Sequence, residues 1–167
     1  MLKQIVLKMT KHIILYTYII LGSGVLFANI YNSVVDVAIW GSDIPNSIET
    51  ARNYFKQTTP ADFYKFVGAA LHLIGLVTLV LFWKSFPNTR WYLVAAFVLF
   101  MLVDVFTVTY FFPRNDIMFH NAPLTDIELL KQSWQEWNTM NWIRSLIALG
   151  GVICSCAALD KVYKLLK

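Results

Sequence analysis

Three ionisable side chains stand in stretches where almost everything else is apolar. His72 lies in Ala70-Leu71-His72-Leu73-Ile74, Asp104 in Leu102-Val103-Asp104-Val105-Phe106, and Arg144 in Trp142-Ile143-Arg144-Ser145-Leu146. Histidine and aspartate are residue types that take up and return protons, and arginine stays a cation whatever surrounds it. Further polar residues recur at helical spacing near them. On the first apolar stretch Asn29, Asn32 and Asp36 project into an arc of about 60° at 100° per residue, with Ser33 beside them. Thr107 follows Asp104 by one turn, and Trp137, Asn141 and Arg144 share one face, flanked by Asn138 and Ser145. Such a set can move a proton and hold a charge, provided that the elements carrying it converge.

Those elements follow from composition. The chain is 57% hydrophobic and 14% charged, against roughly a quarter charged in an ordinary soluble domain, so it is read as an integral membrane protein. The apolar residues form four blocks, predicting helices over about 13–36, 62–84, 90–112 and 138–160. Each approaches or exceeds the roughly 20 residues needed to cross a bilayer. The expected fold is an all-α, four-helix transmembrane bundle forming one domain over 1–167. The first block is longer than a signal-peptide core, and Leu26-Phe27-Ala28 is a poor cleavage site, so it is read as a retained helix.

Charge placement orients the bundle. Lys3, Lys8 and Lys11 precede the first helix, Lys84 and Arg90 flank the tight Ser85-Phe86-Pro87-Asn88 turn, and Lys161, Lys164 and Lys167 follow the last helix. The two longer links carry Asp43, Glu49, Asp62, Asp116, Asp126, Glu128 and Glu136. The Lys/Arg bias places both termini in the cytoplasm and the longer links outside, in a multi-pass cell-membrane protein. It also accounts for the net charge of +4 without a nucleic-acid partner, leaving the lipid bilayer as the expected surroundings. A short extra helix can form in each outer link: Ser47 to Gln57 is a polar stretch, Thr59-Pro60 reads as a helix start, and Thr125-Asp126-Ile127-Glu128 is a capping-box pattern from which the fourth helix can begin outside the bilayer and run in through Trp137. Trp83, Trp91 and Tyr92 mark one interface, and Trp40, Tyr110, Trp134 and Trp137 the other.

On this topology all four helices carry their polar residues in the outer half. At about 1.5 Å per residue, His72 lies about 15 Å in from the outer start of its helix and Asp104 about 20 Å from the cytoplasmic start of its own. The expectation is an outward-facing polar pocket. Asn29, Asn32 and Asn141 could equally serve as helix–helix hydrogen-bonding groups, and Asp36 and Arg144 could lie at the interface or pair with each other. Asp104, deeper, needs Arg144, His72 or its own proton to be tolerated. The arrangement predicts that Arg144 contacts Asp104 directly or through water, with Asp36 as its outer, more hydrated partner. No metal or haem is expected, because His12 and His120 lie away from His72 and no Glu-x-x-His motif occurs. Cys154 and Cys156, two apart on a helix, diverge and read as small packing residues.

Two motifs add a resemblance. The third helix ends Tyr110-Phe111-Phe112-Pro113-Arg114-Asn115, and the fourth opens Trp137-Asn138-Thr139-Met140-Asn141-Trp142-Ile143-Arg144. An aromatic-Pro-x-Asn exit followed by Trp-x-x-x-Asn-x-x-Arg resembles the anthrone oxygenase-like family of small four-helix membrane proteins, as does the glycine-containing helix from Gly22 to Tyr31. The resemblance implies Pro113, Asn115, Trp137, Asn141 and Arg144 as shared positions. It also implies oxidation of anthrones to anthraquinones by molecular oxygen without a metal or flavin cofactor. On that reading His72 or Asp104 removes a proton from a flat, lipophilic, weakly acidic molecule, Arg144 and Asn141 stabilise the oxyanion, and the carbanion reacts with oxygen. Asn29, Asn32, Asp36, Asn115 and Trp137 then line the substrate site. The rivals are a lipid or small-molecule binding or transport protein, or a membrane partner subunit without activity. Oligomerisation is compatible with each.

Overall fold

The computed structural model describes residues 2–121 and 123–164, and every regular element among them is helical. Four helical spans, Met9–Trp40, Pro60–Trp83, Pro87–His120 and Ile127–Lys164, are long and apolar enough to cross a membrane. Consecutive spans pack against each other, and the fourth packs back against the first. The tight turn behaves as expected: Thr89 Oγ1 donates to the Phe86 carbonyl at 2.8 Å, and Pro87–Thr89 forms a single 3-10 turn before the third span. At this end of the bundle Lys11 Nζ donates to Ser85 Oγ at 2.5 Å, Arg90 lies over the Trp83 ring, and the Tyr16 and Tyr163 hydroxyls are hydrogen-bonded. Of the other basic residues assigned to it, Lys167 and the side chains of Lys3 and Lys8 lie outside the described residues.

The third and fourth spans extend beyond the expected 112 and 138. The third does not exit at Pro113; its helical path runs through the proline to Asn121. Proline removes the N–H that would bond the carbonyl four residues back. The π-helical turn Thr107–Phe111 immediately before it absorbs that defect without breaking the rod. The fourth helix begins at Ile127, ahead of its expected apolar stretch and at the capping-box pattern that allowed such a start, with Asp126 Oδ1 accepting from the Leu129 N–H at 3.2 Å. The cap is therefore Asp126 and not Thr125. The Thr59 start forms as read: the Asp62 carboxylate accepts from the Thr59 N–H at 3.0 Å, and Pro60 is the first helical residue.

Between the first two spans a short helix, Asn46–Tyr54, lies across the loop end. It buries Ile48 and Ala51, and Arg52 Nε donates to the Met118 carbonyl at 2.8 Å. Trp134 Nε1 donates to the Val37 carbonyl at 2.8 Å, tying the fourth span to the end of the first. Beneath this cover sit Trp40, Phe111, Met118, Leu130 and Trp137 in one apolar cluster. A second surrounds Tyr18, Val25, Leu71, Ala96 and Phe100 at mid-bundle. The polar residues occupy the layer between the two.

Phe100 sets the close approach of the helices. A Cβ built on Gly22 would fall 2.5 Å from Phe100 Cζ, and one on Gly151 would fall 2.8 Å from the same atom. The ring is 1% exposed and bounded by a glycine from the first span and another from the fourth, so it has no direction in which to yield. Gly22→Ala is expected to lower stability by about 1 to 3 kcal/mol, the usual range for overpacking a tight core. Thermal unfolding in detergent measures it, and Phe100→Leu in the same chain should recover part of the loss.

Candidate active site

Arg144 is the centre of the polar layer and is 3% exposed. Its Nε and Nη2 donate to Asn141 Oδ1 at 3.0 and 2.5 Å, and Nη1 donates to Thr107 Oγ1 at 3.2 Å. The guanidinium lies 4.0 Å from the Phe111 ring centre and 5.6 Å from that of Trp137, within cation–π range. Asn141 is fully buried, and its amide nitrogen donates to the Asn29 carbonyl at 2.9 Å and to Ser33 Oγ at 2.6 Å. Both ends of the Asn141 amide are therefore occupied, one joining the first span and the other orienting Arg144.

The expected Arg144–Asp104 pair does not form as a direct contact. Among the described residues no carboxylate comes within 4.0 Å of Arg144, and the ion-pair partner of Asp104 is His72, with Nδ1 3.3 Å from Oδ2. The two residues face one chamber instead, bordered by Gly68, Tyr64 and Thr107. Asp36 is not the outer partner of Arg144 either. Asp36 lies beside Asn32, whose amide nitrogen donates to the Tyr64 hydroxyl at 3.2 Å, and makes no ion pair with Arg144. The cause is local. Asp36 lies seven residues and about 10 Å beyond Asn29 along the helix, and Asn29 is the residue that stands level with Arg144. Asp36 lines neither of the two cavities of the site.

His72 Nδ1 also lies 2.7 Å from the Gly68 carbonyl. A carbonyl only accepts, so this nitrogen carries hydrogen. Nε2 is enclosed and has no partner. Asp104, by contrast, has a side chain that is 51% exposed and lines a groove of about 890 Å³ between the second and third spans. The groove is lined by Tyr64, His72, Asp104, Arg144, Asn115 and Trp137 among others, and its size suits a small organic molecule. Asn32 also lines it, whereas Asn29 lies behind, in the smaller chamber. Trp137 Nε1 donates to Asn115 Oδ1 at 2.8 Å, and Arg114 pairs with Glu136 at 2.6 Å across the same two spans. These contacts carry the helical path past Pro113 and hold Asn115 over the groove.

Tyr64 is a member that sequence reasoning missed. Its hydroxyl donates to Asn29 Oδ1 at 2.9 Å and lies 3.2 Å from Asn32, and its ring centre is 5.7 Å from the Arg144 guanidinium. The signal was present: Tyr64, Gly68 and His72 recur every four residues and share one helical stripe. Phe111 carries no such signal, being one aromatic residue in a row of three.

The profile of the anthrone oxygenase family matches residues 55–154. That span includes Tyr64, His72, Asp104, Asn115, Trp137, Asn141 and Arg144, and omits the first helix with Asn29, Asn32 and Asp36. No curated protein and no solved structure matches the chain. With 100 of its 167 residues covered, including the second and third spans and the exit and start motifs around Pro113 and Trp137, this four-helix membrane protein belongs to the anthrone oxygenase family.

Proposed function

We propose that the protein is a membrane-embedded, cofactor-independent oxygenase-like enzyme for a small lipophilic carbon acid, with Asp104 as general base and Arg144 as the group that holds the developing oxyanion. The observation that carries this reading is the state of Arg144, a buried cation held by neutral oxygens and aromatic faces, with no carboxylate of the described residues in ion-pair range, at the wall of a groove that also contains Asp104. A buried charge is costly unless something compensates it, and a ligand enolate is suited to do so. Asp104 is favoured over His72 as base because its oxygens reach the groove while His72 Nε2 is enclosed. His72 then positions the carboxylate from Nδ1. Asn141 has no free donor and acts on the ligand only through Arg144.

The chemistry balances without a further reductant. The C–H bond of a methylene beside or conjugated with a carbonyl breaks, its proton goes to Asp104, and its electron pair moves to the carbonyl oxygen beside Arg144. The enolate carbon bonds to dioxygen, reducing it, and the peroxide takes a proton back. Loss of water with the second methylene hydrogen leaves a new carbonyl: R2CH2 and O2 become R2CO and H2O. Purified protein should convert an anthrone to its anthraquinone faster than the buffer blank, with one dioxygen consumed per product, read by absorbance and an oxygen electrode. Binding of anthrone without turnover would move the assignment to a binding or transport protein.

The basic residues of the described chain favour a groove that opens on the outer side. In a chain with Cys154 and Cys156 replaced, an impermeant thiol reagent added to intact cells should label Asn46→Cys and leave Asn88→Cys untouched. The reverse pattern would invert the topology and turn the groove to the cytoplasm.

A further inference from the structure

Behind the groove lies a chamber of about 30 Å³ that shares Tyr64, Gly68, Asp104, Thr107 and Arg144 with it. Its remaining wall is Val25, Leu71, Phe100 and Val103, closed by Asn29. Asn29 is 0% exposed and its Nδ2 has no hydrogen-bond partner among the described residues. Its orientation is set from the other end of the amide, where Oδ1 accepts from Tyr64 at 2.9 Å. Arg144 has five N–H groups, of which three have partners in the protein. Two arginine N–H groups and an asparagine amide thus remain unbonded where the first, third and fourth spans meet. An unbonded buried donor of this kind is costly, and the chamber holds about one or two oxygen atoms with their hydrogens, being somewhat larger than the minimum of about 10 to 15 Å³ for a water.

We propose that this chamber is an oxygen subsite, in which Asn29 Nδ2 and Arg144 together bind a single enolate or phenolate oxygen of a molecule whose rings lie in the groove. Asn29 is then a second oxyanion donor, a role that the saturated amide of Asn141 cannot fill. Water occupies the subsite between turnovers and leaves when the ligand oxygen enters. Asp104 borders the chamber and is the proton acceptor. Once it is neutral, the anion meets N–H groups without an opposing carboxylate. Gly68 keeps the passage open, since a Cβ there would project toward the Asp104 oxygens at 3.8 and 3.9 Å without a clash. The subsite deepens the oxygenase reading and rests on it for the groove.

The test uses 4-nitro-1-naphthol, whose phenolate absorbs visible light, bound to the full-length chain carrying Asp104→Asn so that the amide stands for the protonated acid. The bound naphthol should ionise at a pH lower than the free one. Adding Asn29→Leu, or Gly68→Ala, should return the midpoint toward the free value by about one pH unit, a tenfold weaker preference for the phenolate. Gly68→Ala narrows the chamber from the opposite wall, so it tests the subsite even where loss of Asn29 perturbs folding. Binding with an unshifted midpoint overturns the subsite and leaves the groove in place. A shifted midpoint that neither variant moves assigns the anion to Arg144 alone and also overturns it. A chain that takes up no naphthol at all overturns the groove and the subsite together.

Discussion

Arg144→Met is expected to lower anthrone turnover by about 10²- to 10³-fold, the usual effect of removing one oxyanion-stabilising donor, while destabilising the protein only modestly. A direct buried ion pair predicts otherwise, since deleting one partner costs about 3 to 5 kcal/mol by stranding the other charge. Here the groups left behind are neutral. Asn141 Oδ1 loses both of its donors and Thr107 Oγ1 loses one, though Thr107 keeps its own 2.7 Å bond to the Val103 carbonyl. One buried unsatisfied acceptor costs about 1 to 3 kcal/mol, and removal of a desolvated cation offsets part of it. Adding Asp104→Asn should change stability nearly additively, because the two side chains do not touch. Thermal unfolding of the single and double variants in detergent, with turnover of each, separates the cases. Coupling of several kcal/mol between them would restore the direct pair, and wild-type turnover by Arg144→Met would remove the oxyanion role.

Asp104→Asn is the second large effect. It retains shape and loses the base, so the rate should fall by about 10²- to 10⁴-fold, the contribution of a positioned general base. The amide cannot titrate, so the acid-side decline of the pH–rate profile should vanish with it. His72→Gln should cost less, since the histidine bonds the carboxylate and the Gly68 carbonyl from one nitrogen and presents no free nitrogen to the groove. If His72→Gln is the more damaging of the two, the histidine is the base and must turn to expose Nε2.

The candidate site was legible in the chain to the extent that cost made it so. His72, Asp104 and Arg144 are conspicuous because ionisable groups in apolar helices need a reason to be there, and the structure does bring all three to one groove. Their pairing was not legible. Helical projection at a fixed 100° per residue puts Asn29, Asn32 and Asp36 on one face but carries no depth: Asn29 borders the chamber, Asn32 the groove, and Asp36, at the end of the π turn at 32–36, neither. The same kind of turn before Pro113 lets the third span continue past a residue that by itself reads as a stop.

Composition and charge alone determined that this is a helical membrane protein with four spans, because the length of an apolar block must match the thickness of the hydrocarbon whatever its neighbours do. Local patterns likewise sufficed for the Thr59 start and the Ser85–Asn88 turn, whose hydrogen bonds join residues three or four apart. Only the tertiary structure decided that Arg144 rests on Asn141, Thr107 and Phe111, that Asp104 pairs with His72, and that Tyr64 aims Asn29 into the chamber. Four of those contacts join different spans, and the fifth, between Arg144 and Asn141, is held in place by Asn141's bonds to the first span. Their lengths depend on how the helices rotate and approach, which is set where Phe100 meets Gly22 and Gly151.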